Sequence, residues 1–123
     1  VSDTFEEQFA PLLKEVFTAQ AQEQLRQGAD GLALAHSYAE QGKPDFALAF
    51  LLLAGIPDDE KREVLAQAYE QRARFSEEKA RQFDRQFHRS FPLIKLEAQK
   101  DRRLARAIRS GQVESSVDIP PDK

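Results

Sequence analysis

Pro44–Gly55 reads PDFALAFLLLAG, and from Phe46 to Ala54 no polar residue interrupts it. Proline suits the first position of a helix and glycine the position just past its end, so the spacing predicts a short helix over 44–54. At roughly 1.5 Å per residue it is about 16 Å long, too short to cross a bilayer. A helix that is apolar on every side has to be covered on every side. The rest of the chain is therefore expected to supply amphipathic helices that wrap it.

The flanking sequence reads that way. Upstream, Phe9, Leu12, Leu13, Val16 and Phe17 recur at three and four residues and Leu25 closes the pattern before Gly28. Pro11 cannot sit deep inside a helix. Either this helix starts near Ala10, or an earlier turn, capped by Thr4 with Glu7 three residues on, is kinked there. Asp30 suits the cap of a second helix carrying Leu32, Leu34, Ala35 and Tyr38, stopped by Gly42. Downstream, Asp58 suits the cap of a fourth helix with Val64, Leu65, Ala68 and Tyr69 inward, and Asp59 and Glu60 complement its dipole. Ser76 is expected to cap a fifth helix with Ala80, Phe83, Phe87 and Phe91 in a narrow stripe. Phe91-Pro92 is either a kink in one long helix or a turn between two, and only a turn folds the flanking basic faces onto one body. Leu93, Leu96, Leu104, Ala107 and Ile108 then mark the apolar side of a sixth helix ending near Ser110-Gly111.

No segment alternates with period two, so the fold class is all-α. The expected architecture is a single compact domain of about six helices over 1–111, stacked helix hairpins around the buried 44–54 helix. The 112–123 tail, QVESSVDIPPDK, has two prolines and little to bury, and is expected to be disordered.

A chain of 123 residues is long enough for one core. The absence of cysteine excludes disulfides, thiolate nucleophiles and thiolate metal sites. The start VSDTFEEQF lacks the layout of a secretory signal, and no apolar run reaches the length of a transmembrane segment; a cytoplasmic location is expected. The net charge of −3 hides an asymmetry. Residues 1–60 carry 3 Lys+Arg against 11 Asp+Glu, whereas residues 61–123 carry 15 against 10. Opposite charges in the two halves would suit head-to-tail self-association.

Leu34, Ala35, Tyr38, Gly42, Ala47 and Ala54 stand at offsets that resemble a tetratricopeptide repeat, a helix–turn–helix unit with small and large apolar residues at fixed places. A weaker second copy runs through Leu65, Ala66, Tyr69 and Ala80. It departs from the pattern, with 31 residues from Tyr38 to Tyr69 and Ala73 in place of the turn glycine. The resemblance spans roughly residues 28–87. It implies a protein-interaction scaffold whose concave face takes a peptide or a helix, with the first and last helices as caps.

Catalytic and metal-site signals are weak. His36 and His88 are the only histidines and neither has the spacing of a helical metal motif. A partly buried histidine, or an exposed Asp84–His88 helix pair, is the simpler reading. Glu6-Glu7 and Asp58-Asp59-Glu60 stand at helix starts, where negative charge is favourable without a chemical role. Neither a catalytic residue nor a metal or cofactor is assigned.

The feature that asks for a function is basic. Residues 79–109 hold ten Lys+Arg against Asp84, Glu97 and Asp101. At about 100° per residue, Arg81, Arg85 and Arg89 share one flank of the fifth helix. Lys95, Arg102, Arg103, Arg106 and Arg109 fall opposite Leu93, Leu96 and Leu104 on the sixth, while Lys100 lies on the apolar side. Like charges four apart destabilise a helix by roughly 0.2–0.5 kcal/mol per pair, and within the fifth helix only Glu77 offers relief. Such a face is a solvated one, neutralised in part by the acidic half of this chain or of a second copy, or it binds an anionic partner.

The expectation is a non-enzymatic protein–protein interaction module or scaffold. Arg81, Arg85, Arg89, Lys95, Arg102, Arg103, Arg106 and Arg109 would be its partner-binding residues, and another protein with an acidic surface its partner. The alternative is nucleic-acid or other polyanion binding through the same faces. It is disfavoured by the acidic chain (pI ≈ 5.4) and by phenylalanines spaced like core residues.

Overall fold

The computed structural model describes residues 4–88 and 90–111; Arg89 and the 112–123 tail lie outside the described residues. Six α-helices follow in order: α1 (Phe5–Phe9), α2 (Glu15–Arg26), α3 (Gly31–Glu40), α4 (Pro44–Leu53), α5 (Asp58–Phe87) and α6 (Pro92–Ser110). A single 3-10 turn, Ala10–Leu12, joins the first two. Among the described residues there is no strand, and the chain is one all-α domain.

Helix α4 occupies the centre, packed against α2, α3 and α5. Ala47, Leu48, Ala49, Phe50 and Leu51 are all at most 4% exposed. Its two ends are uncovered, at Asp45 and at Leu53, which is 37% exposed. Tyr38 of α3 stacks on Phe46 and Phe50 of α4 (ring centroids 5.1 and 5.8 Å), and Phe17 of α2 meets Phe46 edge-on at 4.7 Å. Aromatic contacts thus tie three helices together.

The α3–α4 turn depends on Gly42, which lies in the left-handed region at φ 69°. Its N–H donates to Ala39 and that of Lys43 to Tyr38, closing the helix end as glycine allows. Space matters as much as conformation here. A Cβ on Gly42 would stand 2.9 Å from Phe75 Cδ2 and 3.1 Å from the Arg72 backbone, so α5 can pass directly across the turn.

Both helix boundaries near the N-terminus follow from Pro11. Thr4 and Glu7 form the capping box of α1, the 3-10 turn takes up the proline, and helix resumes at Glu15. Asp58 does not cap its own helix. Pro57 holds that place, and the Asp58 carboxylate instead accepts the Phe5 N–H at 3.2 Å, fastening the start of α1 to the start of α5. Phe5 and Phe9 are thereby sealed into the core.

The expected break at Ser76 is absent. Ser76 is an interior residue of α5, which runs unbroken for 30 residues. A capping residue ends a helix only where something stops the preceding one, and residues 64–87 contain neither glycine nor proline. Leu65, Ala66, Tyr69 and Ala80, read as the two arms of a second repeat, therefore lie on one helix. At Phe91-Pro92 the chain turns: His88 adopts the left-handed conformation (φ 53°, ψ 38°) and Pro92 opens α6.

Truncating a fully buried leucine at the centre should be costly. Leu51→Ala is expected to lower the unfolding free energy by about 2–5 kcal/mol, and Leu53→Ala by about 1 kcal/mol or less. Urea denaturation followed by helix circular dichroism measures both.

Candidate interaction surface

Helices α5 and α6 form an antiparallel hairpin whose seam is built on alanine. Ala66, Ala73 and Ala80 recur every seven residues on α5, as do Ala98 and Ala105 on α6, and all five are at most 1% exposed. A seven-residue repeat keeps one face toward a partner helix, and small side chains bring the backbones close. On α6 the inward residues are Ala98, Asp101, Ala105 and Ile108. Of the residues expected on that face, Ile108 is fully buried and Leu104 and Ala107 pack half-buried against the core, but Leu93 is 75% exposed and Leu96 is only half-buried. Close packing selects the small residues, so α6 is rotated from the orientation that the leucines suggest.

That rotation changes what the basic residues do. Lys95, Arg102 and Arg109, seven apart, stand along the edge of the seam rather than opposite it. Glu63, Glu70, Glu77 and Asp84, also seven apart, line the facing edge of α5. Arg109 donates to Glu63 (2.9 Å to each carboxylate oxygen) and to Glu70 (2.6 and 2.8 Å). Arg102 makes a bidentate pair with Glu77 at 2.9 and 2.6 Å, and Lys95 reaches Asp84 at 3.2 Å. The result is a ladder of alternating charge along one side of the hairpin.

The other assigned residues divide. Arg81 is exposed and pairs with Glu78 on its own helix; Glu77 serves Arg102. Arg85 and Arg106 are exposed, and neither makes a hydrogen bond or ion pair to a described residue. Arg103 is half-buried and engaged. Lys100 is exposed and lies 3.9 Å from Glu97. Helical phase places Arg74, Arg81 and Arg85 beside the ladder on α5, and Gln99 and Arg106 beside it on α6. Two shallow hollows open here, the first of them shared with Ala39 and Glu40 of α3. One, of about 330 Å³, includes Gln67, Gln71, Arg74 and Arg109; the other, of about 400 Å³, is lined by Glu77, Arg81, Lys95 and Gln99.

An ion pair between Asp101 of the basic window and Arg72 upstream of it completes the hairpin. Asp101, 7% exposed, sits within the seam and takes a bidentate pair from Arg72 at 2.9 and 2.9 Å. Arg72 also lies over the Tyr69 ring at 5.1 Å, and burial pushes the Tyr69 hydroxyl up to about 12. Asp101 invites misreading as a lone acid in a basic helix. Its phase, three residues after Ala98 and four before Ala105, is the signal that it faces inward.

The histidines are not brought together. His36 is exposed on α3, and His88 has left the helix at the hairpin turn, so Asp84 pairs with Lys95 instead. Among the described residues no group of His, Cys, Asp or Glu could hold a metal ion, and no helix is long and apolar enough to cross a membrane. Neither a family model, nor a curated protein, nor a solved structure matches the chain.

Glu63, Glu70 and Glu77 are held below the ordinary carboxyl value of 4.5, each chiefly by its hydrogen bonds from Arg109 or Arg102. A depressed folded-state pKa stabilises the fold above the unfolded value, and this is lost as pH falls from about 4.5 through the lower folded values. Melting temperature should therefore drop in that acid range. The drop should be shallower in an Arg102→Gln, Arg109→Gln double variant, which loses about 1 kcal/mol or less per pair at neutral pH because these groups are partly solvated. Arg72→Ala should cost more, about 2–3 kcal/mol, because it leaves the Asp101 carboxylate buried without its counterion. Thermal unfolding across pH, followed by circular dichroism, checks all three.

Proposed function

We propose that the chain is a non-enzymatic interaction module that engages an acidic segment of another protein along the ladder face of α5 and α6. The observation that supports it is a pair of exposed cations, Arg85 and Arg106, that make no hydrogen bond or ion pair to a described residue. Arg85 is within reach only of the charge of Glu78, on a face where Arg81 is paired only within its own helix. Carboxylates of a partner could reach these side chains without opening the ladder. Arg102, Arg109 and Lys95 contribute by holding α6 in place rather than by meeting the partner.

A protein partner is favoured over nucleic acid by the carboxylates on the same face. Glu63, Glu70, Glu77, Glu78 and Asp84 interrupt the cations along its whole length. A phosphate backbone needs a continuous basic track, whereas a protein can place its own charges between them.

Affinity capture from native lysate at low and high salt tests the proposal. A protein captured at low salt should be lost at high salt. Arg85→Glu or Arg106→Glu should weaken its capture about tenfold with an unchanged melting temperature. Capture that ignores both substitutions, or that disappears on nuclease treatment, would overturn it.

A further inference from the structure

The turn that closes the α5–α6 hairpin is capped by aromatic rings. Phe83, Phe87 and Phe91 meet edge-to-face with centroids 5.2–5.9 Å apart. They are not core, as their helical spacing suggests: Phe87 is 51% exposed, and Leu93 beside them is 75% exposed. Arg85 lies two residues behind Phe87, about 3 Å along the helix axis, and Arg81 about 9 Å behind. Lys95 flanks the same end from α6, paired with Asp84.

We propose that this tip docks on a membrane surface rich in anionic headgroups. Phe87, Phe91 and Leu93 would enter the interfacial layer, and Arg85 would meet the headgroup charge directly, with Arg81 and Lys95 beside it already paired to Glu78 and Asp84. This goes beyond the acidic-partner reading and does not depend on it.

Charge favours this occupant. Asp58, Asp59 and Glu60 stand at the opposite end of α5, with Glu6 joined to them through Lys61. Thirty residues at 1.5 Å separate the acidic end from the tip by about 45 Å. An anionic surface therefore attracts one end and repels the other, which turns the hairpin tip-first.

Area points the same way. The exposed parts of Phe87 and Leu93 amount to on the order of 250 Å². A stable protein interface buries about 800 Å² on each partner. A lipid interface needs no matching surface, because each apolar group gains by entering and each cation adds its own attraction.

Co-sedimentation of the full chain with vesicles tests the proposal, comparing phosphatidylcholine alone with an equimolar mixture of phosphatidylcholine and phosphatidylglycerol. Binding is expected to the mixed vesicles only, and to fall with salt. Arg85→Glu should weaken it about tenfold, as should the Phe87→Ser, Leu93→Ser double variant. Val16→Ser, at another exposed apolar residue, should leave it unchanged. Arg106→Glu should also leave it unchanged. Arg106 lies about 20 Å along α6 from Leu93, so this variant separates the vesicle result from the partner reading. Binding to neither vesicle, or equal binding to both, would overturn the proposal. So would loss on Arg85→Glu with none on the Phe87/Leu93 variant, which would indicate simple attraction to polyanions. A dimer in sedimentation velocity that the Phe87/Leu93 variant abolishes would instead assign the tip to a second copy.

Discussion

The close approach of α5 and α6 along their alanines is the constraint on which the surface of this protein depends. Once two backbones are drawn together by Ala66, Ala73 and Ala80 on one side and Ala98 and Ala105 on the other, little freedom remains in their rotation or register. Asp101 fixes what is left. A carboxylate within a small-residue seam needs its counterion at one height, and Arg72 provides it there with two parallel hydrogen bonds. A one-residue slip would carry Asp101 away from Arg72 and move every member of the ladder off its partner. The ladder thus follows from the seam. The seam buries the pairing free energy, and the ion pairs at its edge, being partly solvated, add specificity more than stability.

The same constraint decides which cations face outward. Counting charges along 79–109 suggests one continuous basic surface. In the folded hairpin, heptad phase removes Lys95, Arg102 and Arg109 from that surface and leaves Arg85 and Arg106 beside the ladder, with Lys79, Arg81 and Lys100 exposed as well. What the protein offers another molecule is therefore a few separated cations set among carboxylates, and a small apolar end beyond them.

Much of the body was legible from the chain. Phe46–Ala54 announces its burial by having no polar side, Gly42 and Pro44 mark the turn before it, and Thr4 with Glu7 locates α1 once Pro11 is known to interrupt. Ser76 misled because side-chain capping preference is weak beside an unbroken run of good helix formers. Leu93 and Leu96 misled because apolar periodicity weighs residues by size, and this seam selects against size. The ladder was present in the sequence as two seven-residue series, 63-70-77-84 and 95-102-109. It becomes visible only when both are read together as facing edges of one antiparallel pair. The aromatic end had no such signal, since phenylalanines four apart look alike whether a neighbouring helix covers them or the chain turns back first.

One consequence belongs to α5 itself. Its first turns share the core with α1 and α4, its middle passes over Gly42, and its last turns belong to the hairpin alone. No joint separates these parts. A displacement of the far end is carried as leverage into the centre of the molecule, because one continuous helix joins the two.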